Sequence, residues 1–261
     1  AVWPDGVDTL EAAEGAMLGL TAERALLADG QRILDLGCGW GAFTLWAADR
    51  FPGAEVVGVS NSHGQREHIL ARASEAGLGN VSVITADIND FSPDGRFDRV
   101  VSIEMLEHVR NHPEVFRRMA GWVESDGLAF THVFAHTEFA YPFEVDGPAA
   151  WMADTFFSGG VMPSRRLLPD AAEAAGWDLD ADWWLDGTHY ERTLEAWLDR
   201  MDAALPAVRE VLAPVYGDDL DCWIQRWRMF FMACSAMFGF EDGRQWGVAH
   251  HRFTPTGTAS G

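Results

Sequence analysis

Ile33-Leu34-Asp35-Leu36-Gly37-Cys38-Gly39-Trp40-Gly41 runs from an apolar stretch, through one acid, into three glycines at alternate positions. The apolar part reads as a buried strand, Arg32–Leu36, entering a turn whose backbone can take positive φ and approach a ligand closely. Residues 43–51 then read as a helix stopped by Pro52-Gly53, and the start of that helix offers free N–H groups to the turn. Outward from here the rhythm repeats. Residues 55–59 are a second strand, followed by a polar helix over 62–76 that ends at Gly77. Val81–Thr85, Phe97–Ile103 and residues 128–134 are further strands, with a helix over 113–123 that carries Pro in its first turn. Apolar strands alternating with helices predict a parallel sheet covered on both faces.

Past residue 136 the rhythm breaks. Residues 137–162 are aromatic and glycine-rich and read as a loop-like insert over the sheet edge. Residues 164–175 read as a helix with Ser164 as its N-cap, and 177–185 alternate as a strand. Residues 194–238 are mainly helical, broken near Pro206 and Gly217, and 246–253 return as a final strand. The expectation is one domain over 1–261 of α/β class: a Rossmann-like, mostly parallel seven-stranded sheet with a helical cap inserted late. Within it, 1–30 form a helical lead-in, 31–135 a cofactor-binding core, and 136–163 with 188–240 a substrate-side insert and cap.

The composition narrows the function classes. The 261 residues carry 40 acidic against 19 basic side chains, a net charge of −21, and every basic residue is Arg. That sign opposes binding to nucleic acid phosphates or to an anionic membrane surface, and it is compatible with a cationic small molecule. No apolar run is long enough to cross a bilayer and no signal-peptide pattern is present, so the expectation is a cytoplasmic protein acting on a small molecule, with no nucleic acid and no membrane partner and with a homodimer left open. Cys38, Cys222 and Cys234 form neither a metal-ligand spacing nor a disulfide framework, and His136, His189, His250 and His251 form no ligand set, so no metal is expected.

A strand–glycine turn–helix serves either a dinucleotide pyrophosphate or the methionine carboxylate of S-adenosylmethionine. Two neighbours favour the second. The third glycine of a dinucleotide fingerprint is replaced by Ala42, and no acid closes the second strand, where Ser60-Asn61 stands instead. Asp35 is placed to receive a cofactor ammonium, with Gly37, Cys38, Gly39 and Gly41 lending backbone. Asn61 and Gln65, beside Ser60, suit ribose hydroxyls, while Asp87, ahead of Ile88, suits an adenine amino group. Ser102 closes the fourth strand on the same edge.

Glu104, Glu107 and His108 follow that strand at spacings i, i+3 and i+4, which a helical turn would place on one face. Carboxylates and an imidazole beside a sulfonium have a use. An amine with a pKa near that of lysine, about 10, is protonated at neutral pH and has no free lone pair. Carboxylates can hold the ammonium while one basic group takes its proton before methyl transfer.

Taken together, LDLGCGWGAFTLWAADRFP, VVGVSNSHGQ, ITADINDF and VVSIEMLEHVRN resemble the cyclopropane-fatty-acid-synthase-related methyltransferases, on the side of the coclaurine N-methyltransferase branch. The likeness runs from about residue 8 to about residue 253 and includes FAYPFEVDGPAAWM, GTHYERTLEAWLDRMD, MFGFEDGRQW and GVAHHRF. It implies a class I methyltransferase fold, S-adenosylmethionine as cofactor, a small aromatic or cyclic amine as acceptor, and catalytic roles for the Glu and His of the 104–108 cluster. It also implies N-terminal helices ahead of Ala1 that help to close the cofactor pocket, so either more chain precedes Ala1 or this pocket closes differently. Methylation of a sulfur or carbon atom of another small metabolite is one alternative, and methylene or methyl transfer to an acyl lipid, as in cyclopropane synthases, comes with the same resemblance. Cyclopropane synthases use a bound bicarbonate, and Cys38, Glu107, His132 and Tyr190 match its site. They usually carry a small residue where this chain has Glu104, a carboxylate costly to bury against an acyl chain. Cys234 matches a position sometimes given as an active-site cysteine, although a Cys on an apolar helix is more often packing. His132, Tyr190, Tyr141 and Trp151 are the candidates for the acceptor wall, within an aromatic load of 12 Trp and 16 Phe.

Overall fold

The computed structural model describes residues 1–143, 150–157 and 159–256, without the side chains of Ala150 and Trp151. After the lead-in helix α1 (Leu10–Arg24) come β1 (Arg32–Leu36), α2 (Ala42–Arg50), β2 (Glu55–Ser60), α3 (His63–Glu75), β3 (Val81–Thr85) and β4 (Phe97–Ile103). The next elements are α4 (His112–Trp122), β5 (Val123–His136), β6 (Tyr141–Pro142), α5 (Ala150–Phe156), β7 (Val161–Met162), α6 (Leu167–Ala174) and β8 (Trp177–Asp186). The helices α7 (Thr188–Ala203), α8 (Leu205–Tyr216) and α9 (Leu220–Gly239) form the cap, and β9 (Trp246–Pro255) closes the fold. Seven strands make the main sheet in the order β3-β2-β1-β4-β5-β9-β8. β1 to β5 pair in parallel, while β9 runs antiparallel to both β5 and β8. This is the mostly parallel, Rossmann-like seven-stranded sheet expected from the sequence, and the strand order reverses between β1 and β4, where an open α/β sheet leaves a crevice at its carboxyl edge.

Burial explains why these segments form strands. Ile33 and Leu34 of β1, Val56 of β2 and Val100 and Val101 of β4 are fully covered, as expected for a sheet with helices on both faces. On one face α4 buries Val115, Phe116, Met119 and Trp122, and the Trp177 indole donates to the Phe116 carbonyl at 2.9 Å. Fully burying each such side chain stabilises the fold by roughly 1.5–3 kcal/mol. The segment before α1 is tied to the cap: the Trp3 indole donates to Thr193 of α7 at 2.9 Å, and its ring lies under the Arg192 guanidinium.

Four sequence expectations are corrected. β5 begins at Val123, directly from α4, because Ser125-Asp126-Gly127 is an irregularity within the strand and not a turn before it. The insert is not all loop: β6 pairs with β7, and α5 lies between them. Ser164 does not cap α6. It bridges to His136, and the helix starts later, after Arg166. The cap begins at Thr188, where it was expected, but it is helical from that residue, six positions before the expected helical stretch, because Gly187 ends β8; its first break is at Ala204, with Pro206 inside the first turn of α8.

Candidate active site

At the strand-order reversal, the turn after β1 is held by β2. The N–H groups of Gly37 and Cys38 both donate to the Val59 carbonyl, at 3.0 and 2.9 Å. Gly37, Gly39 and Gly41 have φ of +87°, +52° and +85°, a region that side chains with a Cβ avoid. A cavity of about 530 Å³ opens over this turn, walled by Gly37, Gly39, Ser60, Asn61, Gln65, Asp87 and Ile88, with Glu104, Met105 and His108 at its other end. A Cβ on Gly39 would meet no atom within 4 Å, so the glycine leaves that space to a ligand. The Gln65 carbonyl accepts from Ser60 at 2.5 Å, which leaves its amide nitrogen to donate, and one Asp87 oxygen is satisfied by Asn89. The polar groups therefore fit an adenosyl group: the amides of Asn61 and Gln65 for a ribose, and a second carboxylate oxygen of Asp87 for an exocyclic amine.

Four residues expected at the cofactor stand behind this wall. Asp35 is buried off the cavity wall, and its carboxylate accepts from the Thr44 hydroxyl at 2.6 Å and from the Thr44 N–H, which ties the end of β1 to the start of α2. Burial pushes its pKa up to about 7 against the pull of those bonds. Ser102 donates to the Leu36 carbonyl and ties β4 to β1. Gly41 is the N-cap of α2, against Ile69. Cys38 turns its thiol under the sheet beside Gly58, Ile69 and Val83, where burial pushes it up to about 12.

Glu104 is the pivot. Its φ is +49°, a left-handed conformation that costs a non-glycine residue about 1–3 kcal/mol. That turn ends β4, with the Glu104 N–H donating to the His132 carbonyl at 2.9 Å, and it breaks the single helical face expected for Glu104, Glu107 and His108: only Leu106–His108 is helical, as one 3₁₀ turn. The three side chains diverge. His108 lies exposed on the cofactor cavity wall. Glu107 turns inward, one oxygen accepting from the Phe134 N–H at 2.9 Å and the other buried with no partner among the described residues. Burial, with the nearby Glu104 charge, holds Glu107 well above the usual carboxylate range. Glu104 is 40% exposed and accepts from Tyr190, with His132 Nε2 at 3.5 Å. Burial pushes its pKa up, but the His132 bond and the surrounding charges outweigh it, and Glu104 sits below the usual value as a carboxylate.

Glu104 also touches a second cavity, of about 370 Å³, whose wall is almost wholly apolar. Phe134, Phe143, Phe157, Phe230 and Phe238 line it together with Tyr141 and Tyr190, and the Tyr141 hydroxyl accepts from the Trp246 indole at 3.1 Å. Cys234 is on this wall, but burial pushes its thiol to about 12, so it packs as a thiol. The Trp151 side chain lies outside the described residues. Sequence reasoning missed Met105, which a Cβ on Gly37 would strike at 2.3 Å, and Asn89, two residues past Asp87. It also passed over His250, whose bond to His132 joins strands far apart in the chain. Among the described residues no group of His, Cys, Asp and Glu is arranged to hold a metal ion, and no helix is long and apolar enough to cross a membrane.

With this geometry in hand, comparison with known proteins is informative. The family described as mycolic acid cyclopropane synthetase matches residues 1–245. An (S)-coclaurine N-methyltransferase of Papaver somniferum is 33% identical over 257 residues, covering 96% of this chain and 72% of that protein. The cyclopropane-fatty-acyl-phospholipid synthase of Escherichia coli (strain K12) is 30% identical, covering 98% of this chain and 62% of that enzyme. A crystal structure of coclaurine N-methyltransferase, bound to N-methylheliamine and SAH, superposes with a TM-score of 0.90 at 33% identity, over 97% of this chain and 75% of the other.

Proposed function

The chain belongs to the mycolic acid cyclopropane synthetase family and is an S-adenosylmethionine-dependent methyltransferase, and from that premise we propose that it N-methylates a small aromatic or cyclic amine. The observation that carries this reading is Glu104, a strained carboxylate at the junction of the polar and apolar cavities. When bound, the cofactor supplies a sulfonium methyl group open to in-line displacement. The turn at Gly37 and Gly39 would hold its amino-acid end, with Ser60, Asn61, Gln65 and Asp87 on its nucleoside.

The acceptor belongs in the apolar cavity, its ring against the phenyl groups of Phe143, Phe157 and Phe230 and its nitrogen toward Glu104. Kept ionised by its donors, Glu104 holds the ammonium and orients its lone pair toward the methyl group once the proton is gone. His108 is placed to take that proton, because it stands on the cofactor wall beside Glu104. Glu107, buried and held well above the usual carboxylate range, supports the turn through its bond from the Phe134 N–H. The relative that carries an N-methyltransferase name supports this choice, as does a net charge of −21, which favours cations.

The alternative is transfer to an acyl lipid, as in cyclopropane synthases, and the apolar cavity with Glu107, His132 and Tyr190 beside it favours it. Incubating the protein with methyl-labelled cofactor and a panel of amines, thiols and phospholipid vesicles separates the two. Label in amines alone is expected; label in phospholipid alone contradicts the proposal.

A further inference from the structure

Behind Glu104 the hydrogen bonds continue across the sheet to the lead-in helix. Arg24, the last residue of α1, directs Nη1 at Nδ1 of His250 on β9, at 2.7 Å. Nε2 of His250 meets Nδ1 of His132 on β5 at 2.9 Å. Nε2 of His132 lies 2.9 Å from the Tyr190 hydroxyl, which donates to Glu104. His132 and His250 are both buried, at 2% and 0% exposure. Arg24 is itself held in place, over the Trp183 ring and with its carbonyl accepting from Arg252 at 3.0 Å.

This chain has only one polarity. A guanidinium donates and never accepts, so Nδ1 of His250 must be bare and its single proton must be on Nε2. That proton points at Nδ1 of His132, which must be bare in turn. The His132 proton is therefore on Nε2, facing Tyr190 and Glu104. Charging His250 would set an imidazolium against the guanidinium, and burial, with His132, Arg24 and His251 around the ring, holds His250 well below the usual histidine range. Among the described residues, the titratable groups around Glu104 are His132, Tyr190, His108 and Glu107.

We propose that Arg24 and His250 are positioning residues of the acceptor site: by fixing His132 as the Nε2–H tautomer, they keep Glu104 supplied with donors and available only as an acceptor toward the substrate nitrogen. Without the Arg24 donor, His250 is free to place its proton on Nδ1. His132 can then carry its proton on Nδ1, which leaves Nε2 bare to accept from Tyr190 and takes that donor from Glu104. The consequence for catalysis rests on the amine reading above, whereas the tautomer lock does not.

The test is imidazole nitrogen NMR on the full chain, uniformly ¹⁵N-labelled, with the His132 signals assigned by their loss in His132→Gln. A bare Nδ1 and a protonated Nε2 are expected for His132. Arg24→Met should turn that pattern into a mixture of the two tautomers and lower kcat/KM on a cationic amine by about 10- to 100-fold, the loss seen when the outer partner that orients a metal-ligating histidine is removed. Arg24→Lys, which keeps a donor, should restore both. If Arg24→Met does not fold, His250→Gln and His250→Met make the same comparison, because an amide can accept and donate in series and a thioether cannot. The opposite tautomer in the native protein, or an unchanged His132 pattern in Arg24→Met, overturns the proposal. A lock that behaves as expected in a protein that methylates no amine contradicts the amine reading and leaves the lock standing.

Discussion

Glu104 shows how far one residue can be read. Its type and its place after the fourth strand were legible, and they pointed to a cation. Its conformation was not, because a left-handed φ of +49° at a non-glycine has no signal in spacing; it is set by the bond from its N–H to the His132 carbonyl on the next strand. The same holds for Asp35, an acid in the right place for a ligand that the fold uses on Thr44. Its burial makes a prediction. The folded pKa of about 7 lies above the ordinary 3.8, so the folded state keeps a proton that the unfolded chain releases. The associated stability is fully present below 3.8 and is lost as pH rises through about 7. Asp35→Asn removes the titration. Thermal melts across this range should therefore show the difference in Tm, variant minus native, growing in the variant's favour toward neutral pH; a difference independent of pH would show that Asp35 does not titrate there.

At the scale of elements, the glycine turn and the alternating strands were nearly complete in the sequence, because burial on both faces writes itself as continuous apolar runs. The cap was less legible. Its helices start where Gly187 ends β8, a boundary fixed by tertiary contact, and the hairpin of β6 and β7 is only two residues per strand. The turn allows two substitutions to be distinguished. In Gly37→Ala the new Cβ meets Met105 Cγ at 2.3 Å in addition to the strain at φ +87°, so stability should fall by more than the roughly 1–3 kcal/mol of strain alone. In Gly39→Ala nothing lies within 4 Å, so the protein should lose only the roughly 1–3 kcal/mol of strain at φ +52° and yet bind S-adenosylhomocysteine at least about tenfold more weakly, a change of about 1.4 kcal/mol. Denaturant melts and calorimetric titration read the two effects separately. Equal cofactor affinity in Gly39→Ala would remove that glycine from the cofactor wall.

Over the whole molecule, charge and cavity act together. A net charge of −21 attracts a cationic acceptor and repels an anionic surface, and the apolar chamber accepts whatever ring or chain reaches it. Raising ionic strength from about 0.01 to about 1 M shortens the screening length from about 30 to about 3 Å. KM for a cationic amine should rise over that range, while KM for an uncharged acceptor of the same shape should not. A KM independent of salt for both would mean that the acceptor enters as the neutral amine. Within this frame the two cavities divide the work, and among the described residues Glu104 alone lines both, from a strained position.

The most direct measurement is therefore methyl transfer by the native protein and by Glu104→Gln, each offered a cyclic amine and a phospholipid with the same labelled cofactor. Loss of a charge-assisted bond worth roughly 1.5–3 kcal/mol predicts a fall of about 10- to 150-fold in kcat/KM on the amine. Cofactor affinity should be unchanged, and no label should enter the phospholipid from either protein. Phospholipid labelling that survives in Glu104→Gln, with no transfer to the amine by the native protein, would contradict the account.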